Sequence, residues 1–427
     1  MPKGVGILVA VLVALIAGVG GWFWYESGAS PFSKKSTIVS GSSGSMAPAG
    51  ATPRGAGRPV AAAFPRGVEP KDDFEAGELL ALDPPQTFAA GIRARGYAVA
   101  EIVSLNSLSL SLYRLRIPAG SSVDAARREL TGAYPGLTID ANHRYEVQQA
   151  PAPGPENFKD SLPRAAIGWG PAKPTCGQGV VLGMIDAGVD LKHPALIGQD
   201  IEFQSFHKED RRPGPNEHGT AVAGILVGKS AWGGLLPAAA LKAANMFEQD
   251  ETGNIVGNAV GLLKAVNWMA EERVHVVNMS VAGSDNKAVR AALDKARRAR
   301  LVIVAAAGNW GRDDLPAYPA AYDDVVAVTA LTKEKSIYQQ ASRGTYVYFA
   351  APGVSIYTAV PNGGKLQSGT SFAAPYISVL MGLAIQAGGK NDPDVLSSTL
   401  QKGIIDLGAP GKDSTFGWGL VSQQTGC

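Results

Sequence analysis

Four short segments of this 427-residue chain place a chemically competent side chain at the end of an apolar element. Val180-Val181-Leu182-Gly183-Met184-Ile185 is a continuous apolar run that ends at Asp186. A buried parallel strand of that composition leaves its carboxylate at the carboxyl end of the sheet, where open α/β sheets keep their sites. Thirty-two residues later His218 stands in Asn216-Glu217-His218-Gly219-Thr220, at the start of a small-residue helix running from Ala221 to Leu226. Leu301 to Ala307 reads as a second buried strand, followed by Gly308-Asn309, whose side-chain amide can donate a hydrogen bond. Ser371, within Ser368-Gly369-Thr370-Ser371-Phe372-Ala373-Ala374-Pro375, opens a long apolar helix. The positive end of a helix favours developing negative charge, so this serine is placed to act as a nucleophile.

Each segment alone is common, but together, in this order and at compatible spacing, they resemble the subtilisin family of serine proteases (subtilases) over about Ala165 to Val421. The resemblance implies a three-layer α/β domain with a mostly parallel sheet and a serine endopeptidase acting on peptide or protein substrates. It implies that Ser371 attacks the peptide carbonyl, that His218 takes its proton and returns it to the leaving amine, and that Asp186 fixes the imidazole tautomer. Asn309 and the backbone N–H of Ser371 would hold the oxyanion. Loss of such a donor raises the barrier by about 2.7 to 4 kcal/mol, a figure measured within this family.

The stretch Val276 to Gly283, with Ser280, Val281, Ala282 and Gly283, resembles the family's substrate strand. Gly253 and Asn254, leading to Val256, resemble the opposite rim, so that an extended peptide adds as a strand between them. Ala305, Ala306 and Ala307, with Ala317 near the base, would line a roomy, uncharged pocket for apolar side chains, although plain strand packing accounts for the same alanines equally well. Ala187, Ala221 and Phe372 depart from the family's usual residues without removing a catalytic group. Ala282 replaces a usual glycine, and its methyl is expected to crowd a bound peptide. No cofactor is implied, and the segment from Gly224 to Pro237 lacks the oxygen ligands of a tight calcium loop. The rival reading is a catalytically silent peptide-binding protein on the same fold.

The elements upstream form a second unit. An apolar strand near Gly77 to Leu82, a helix-like stretch from Pro84 to Arg95, two strands within Tyr97 to Ile117, a helix from Ser121 to Tyr134 and a strand from Leu137 to Val147 follow one another. That order, βαββαβ, predicts a small ferredoxin-like α+β domain. Beside a subtilase it resembles the family's propeptide, an inhibitor and folding aid whose tail, Asn142 to Pro155, would reach the catalytic site and be cut there. The expected organisation is a membrane anchor over 1–26, a flexible Ser/Gly/Ala/Pro-rich linker over 27–70, the propeptide-like unit over 71–148, a linker and self-cleavage region over 149–164, and the catalytic domain over 165–427.

Val5 to Tyr25 is an uncharged run of 21 residues closed by Trp22, Phe23, Trp24, Tyr25 and Glu26. It is long enough to span a membrane, and longer than the roughly 7 to 15 apolar residues of a cleaved signal peptide, the competing reading. The bulk of the chain is then expected outside the cytoplasm. There Cys176 and Cys427, the two cysteines, would be free to form a disulfide, with a buried thiol as the alternative. A composition of 45% hydrophobic and 18% charged residues excludes coiled-coil and collagen-like chains. The balance of 39 basic against 37 acidic residues argues against a nucleic-acid partner held through phosphates.

Overall fold

The computed structural model describes residues 73–147, 150–151 and 159–422. The expected anchor and linker, half of the expected self-cleavage region and Cys427 lie outside them. No helix of the described residues is long and apolar enough to cross a membrane.

The amino-terminal unit runs β1 (Phe74–Leu82), α1 (Phe88–Arg93), β2 (Ala98–Leu105), β3 (Leu110–Arg116), α2 (Val123–Ala133) and β4 (Thr138–Val147). Its strands pair antiparallel in the order β2-β3-β1-β4. Ser122 caps α2 by accepting from Ala125 N, and Val123, Ala126 and Leu130 turn inward. Successive residues of a strand face opposite sides, which explains why β1 is apolar without interruption near its end. Leu79 and Ala81 pack with Phe88, Ile92 and Leu130 of the unit's own helices. Leu80 and Leu82 belong instead to a core shared with the rest of the chain.

After β5 (Ala150–Pro151) and the short α3 (Pro163–Ala166), the chain forms β6 (Val181–Asp186), β7 (Ile201–Ser205), β8 (Arg212–Pro213), α4 (Glu217–Val227), β9 (Ala240–Asn245), β10 (Phe247–Gln249) and β11 (Ile255–Asn258). Next come α5 (Ala259–Glu271), β12 (Val276–Met279), β13 (Val281–Gly283), α6 (Lys287–Arg298), β14 (Val302–Ala306), β15 (Val326–Leu331) and β16 (Val347–Pro352). The last elements are β17 (Ile356–Val360), β18 (Gly363–Ser368), α7 (Thr370–Gln386), α8 (Pro393–Gln401), β19 (Ile404–Ile405) and β20 (Leu420–Val421).

A nine-stranded sheet of order β19-β20-β16-β15-β14-β12-β6-β9-β7 forms the middle layer, parallel throughout except where β19 meets β20. Leu182, Val276, Val304 and Val328 pack on one face against α4, α7 and α8. Ile185, Val277, Ile303 and Ala327 pack on the other against α5 and α6, together with Leu80, Leu82, Leu105 and Leu112 of the amino-terminal sheet. Both faces of the central strands β6, β12, β14 and β15 are therefore dry, which is why they read as continuous apolar runs.

The two units also share backbone. The antiparallel sheet of the amino-terminal unit continues from β4 into β11, β10 and β8, and β13 pairs with β4 as well. Asn286 caps α6 by accepting from Ala288 N and Val289 N, so its amide nitrogen is the atom that donates to Ala141 O and His143 Nδ1 of β4. Asp140 adds an acceptor for Lys287 N at 2.9 Å. One asparagine thus ends a helix and holds a neighbouring sheet. Replacing it, Asn286→Ala, should destabilise the fold by about 1 to 3 kcal/mol. Urea unfolding of the chain in a Ser371→Ala background measures this, and an unchanged midpoint would show that the cap contributes nothing.

Candidate active site

Asp186 is the last residue of β6 and is fully buried. Its Oδ1 accepts from Ala187 N and from His218 Nδ1, each at 2.6 Å. A carboxylate offers acceptors only, so the imidazole proton sits on Nδ1 and the lone pair on Nε2, the tautomer that a general base needs. His218 lies in the first turn of α4, and among the described residues its Nε2 and the Oδ2 of Asp186 have no hydrogen-bond partner. Gly219 makes the approach of α4 to β6 feasible, because a Cβ there would stand 2.4 Å from Gly188 O and 2.5 Å from Ala187 O. Glu217 turns away from the imidazole, accepting from Lys365 Nζ and Gln367 Nε2.

Ser371 occupies the first turn of α7, whose residues Thr370 to Gly382 are all buried. The ring of Phe372 lies 5.2 Å from that of His218, which sets the start of α7 against the imidazole. Pro375 has no N–H to offer the carbonyl four residues earlier, that of Ser371. Ser280 Oγ takes up the vacated acceptor, donating to Ser371 O at 3.4 Å. Asn278 donates to Ser280 Oγ and accepts from Ser378 Oγ, so a buried polar chain ties β12 to α7.

Asn309 follows β14 and faces the same helix end. Its Oδ1 accepts from Thr370 N and Thr370 Oγ1, each at 3.0 Å. Gly308 N donates to Thr370 Oγ1, so the threonine proton goes to Asn309. Both bonds fix which way round the amide stands, with the Nδ2 protons directed away from Thr370. Thr370, which adjoins Ser371 within the helix-opening motif, thus joins the site through a contact that no local pattern of residues announces.

β13 and β11 flank a groove that the chain itself fills. Val147, Glu146 and Tyr145 of β4 pair with Val281, Ala282 and Gly283, while Tyr145 and Arg144 pair with Gly257 and Asn258. Gly253 and Asn254, expected on this rim, instead form the turn before β11 around Asp250, and the pairing falls to Gly257 and Asn258. Asn258, a capping residue type directly before an apolar helical run, was the available signal. The methyl of Ala282 does not crowd β4, because it packs with Trp310 and Ala317 on the far side. Gly283 is the position that must stay small, since a Cβ would meet Tyr145 Cδ1 at 2.6 Å. Beyond two residues outside the described set, β5 pairs with Gln367 and Ser368 of β18, just ahead of Ser371.

Of the expected pocket alanines, Ala305 packs into the core between sheet and helices and Ala317 against Ala282, while Ala306 and Ala307 are buried beside Gly308. Cys176 is buried. Among the described residues no group of three His, Cys, Asp or Glu side chains is arranged to hold a metal ion.

Residues 177–419 match the subtilase family. The chain is 32% identical over 256 residues to the minor extracellular protease Epr of Bacillus subtilis, covering 58% of this chain and 38% of that protein. It is likewise 32% identical over 227 residues to the major intracellular serine protease of the same organism, covering 50% of this chain and 70% of that one. Among solved structures, fervidolysin from Fervidobacterium pennivorans, a keratinolytic enzyme related to subtilisin, superposes with a TM-score of 0.69 at 21% identity, over 83% of this chain and 61% of its own. With residues 177–419, more than half of its length, matched by that family, the chain belongs to the subtilase family.

Proposed function

We propose that this chain is a self-processing serine endopeptidase that hydrolyses peptide bonds of extracytoplasmic proteins. Ser371 is the nucleophile, His218 the general base and then acid, Asp186 the group that orients the imidazole, and Asn309 with Ser371 N–H the oxyanion donors. The 2.6 Å contact between His218 and Asp186 supports the base assignment, and the commitment of Asn309 Oδ1 to Thr370 supports the donor assignment. Substrate binds as an added strand between β11 and β13, with Ser280 to Gly283 along one side. The amino-terminal unit is a propeptide, and residues 5–25 anchor the chain in a membrane with the catalytic unit outside the cytoplasm.

One observation carries this reading. β4 lies in the groove as an extended substrate would, and β5 continues on the opposite side of the nucleophile beside β18. A peptide bond between Val147 and Ala150 is therefore the one we propose is cut, which releases the catalytic unit from its anchor.

The first test uses a fluorescent fluorophosphonate on the full chain and on Ser371→Ala. A labelled fragment whose amino terminus falls within 148–150, absent from the variant, is the expected result. Folded wild-type protein that takes no label would favour a silent peptide-binding protein instead. A second prediction concerns Thr370→Val, which removes one donor to Asn309 and the acceptor of Gly308 N. It should lower kcat about tenfold with little change in KM, the size expected for one neutral hydrogen bond acting on the transition state. Peptide hydrolysis kinetics would reject the assignment if KM alone changed.

A further inference from the structure

Away from Ser371, a second contact joins the two units through charge. Glu75 on β1 is 3% exposed and accepts from three cations: Arg211 through Nη2 at 2.7 Å and Nη1 at 3.1 Å, Lys208 Nζ at 2.7 Å, and Arg144 Nε at 2.9 Å. Lys208 and Arg211 lie on the loop between β7 and β8 of the catalytic unit. Glu248, fully buried in that same unit, holds Arg211 from behind at 2.7 Å and accepts from Lys208 N at 2.5 Å. Three further pairs of opposite sign cross the boundary: Glu78 with Lys208 at 3.4 Å, Arg144 with Asp250 at 3.5 Å, and Glu101 with Lys264 at 2.6 Å. The amino-terminal unit thus offers three carboxylates and an arginine, and the catalytic unit answers with three cations and an aspartate.

We infer that the ion-pair chain Glu75–Arg211–Glu248, with Lys208, is a lock that keeps residues 73–147 seated on the catalytic unit after the chain is cut, and that it accepts only a unit bearing a carboxylate at this place. The inference rests on the self-processing reading proposed above. A cut between Val147 and Ala150 leaves every one of these pairs intact. The strand pairing of residues 144–147 is what any extended peptide would make, so it does not distinguish the chain's own unit from a substrate. The charged contact does.

Its physical character is that of a specificity device. Two charges that separate are each hydrated again, so a buried pair adds little net affinity over a well-packed apolar contact. Removing one partner while the other stays buried is costly, and here loss of the Glu75 charge would leave Arg211, Lys208 and Arg144 crowded around a neutral group. Burial by itself would raise the Glu75 carboxyl, but hydrogen bonds from Arg211 and Lys208 and the charges of Lys208 and Arg144 hold it down at about 2. Its contribution is therefore complete above the ordinary glutamate value of 4.5 and is lost only as the pH falls through about 2, so mild acid does not open the lock.

The test follows the full chain after it has processed itself, by gel filtration and by the appearance of peptidase activity. In the wild type the amino-terminal fragment should co-elute with the catalytic unit, and acidification to about pH 5 should release none of it. Glu75→Gln should release the fragment at least about thirtyfold faster, with activity appearing correspondingly sooner. Glu75→Asp, which keeps the charge, should restore most of the retention. Should Glu75→Gln fail to fold, Lys208→Gln, on the more exposed partner of the same carboxylate, should release the fragment about tenfold faster. A cut wild-type chain whose Glu75→Gln or Lys208→Gln variant retains the fragment as well as wild type would overturn the lock. A folded wild-type chain that is never cut would instead overturn the self-processing reading on which it rests.

Discussion

The start of α7 imposes a constraint that reaches most of the structure. A helix buried on every side cannot leave its terminal backbone groups to water, so each orphan must find a partner inside the protein. The N–H of Thr370 finds Asn309 Oδ1, and the carbonyl of Ser371, deprived of a donor by Pro375, finds Ser280. Both partners stand just past the carboxyl ends of central strands, β14 and β12. Satisfying a buried helix end and arranging polar groups around Ser371 are here the same set of contacts.

The parallel sheet supplies the rigidity that such an arrangement needs. β6, β12 and β14 are neighbours in the sheet, covered by helices on both faces, and each delivers one polar residue at or just past its carboxyl end. Asp186, Ser280 and Asn309 are thus spaced by strand geometry rather than by loops. α4 brings His218 in from the side, and the absence of a side chain on Gly219 sets how closely it comes. The amino-terminal unit is joined to this frame by a helix cap, a shared core and a continuous sheet, three contacts of different physical kind.

Much of this was legible in the sequence because the signals are local. Asp186, His218, Asn309 and Ser371 each sit at a boundary between an apolar run and a turn, and the apolar runs gave the elements that carry them and the strands and helices of the amino-terminal unit. What escaped depends on pairing at a distance. The Asx turn around Asp250 and the cap at Asn258 are local, but that β4 pairs with Gly257 and Asn258 rather than with Gly253 and Asn254 depends on a strand far away in the sequence. The direction of the Ala282 methyl depends on Trp310 and Ala317, which lie on other segments. The ion pairs of Glu75 with Lys208 and Arg211 join residues more than 130 positions apart, a relation that no window of sequence contains.

The groove between β11 and β13 is one strand wide, with a single backbone paired on each side. Neighbouring strands lie about 4.8 Å apart, so the walls stand roughly 9.6 Å from one another. A helix with its side chains needs about 10 to 12 Å, and a strand within an intact sheet already has its edges taken. Entry therefore demands a stretch of chain with both backbone edges unclaimed, whatever its side chains. Such stretches are found in termini, in long loops and in polypeptides that have lost their structure. Any segment seated there as β4 is would be selected first by whether its backbone edges are unclaimed and only afterwards by its side chains.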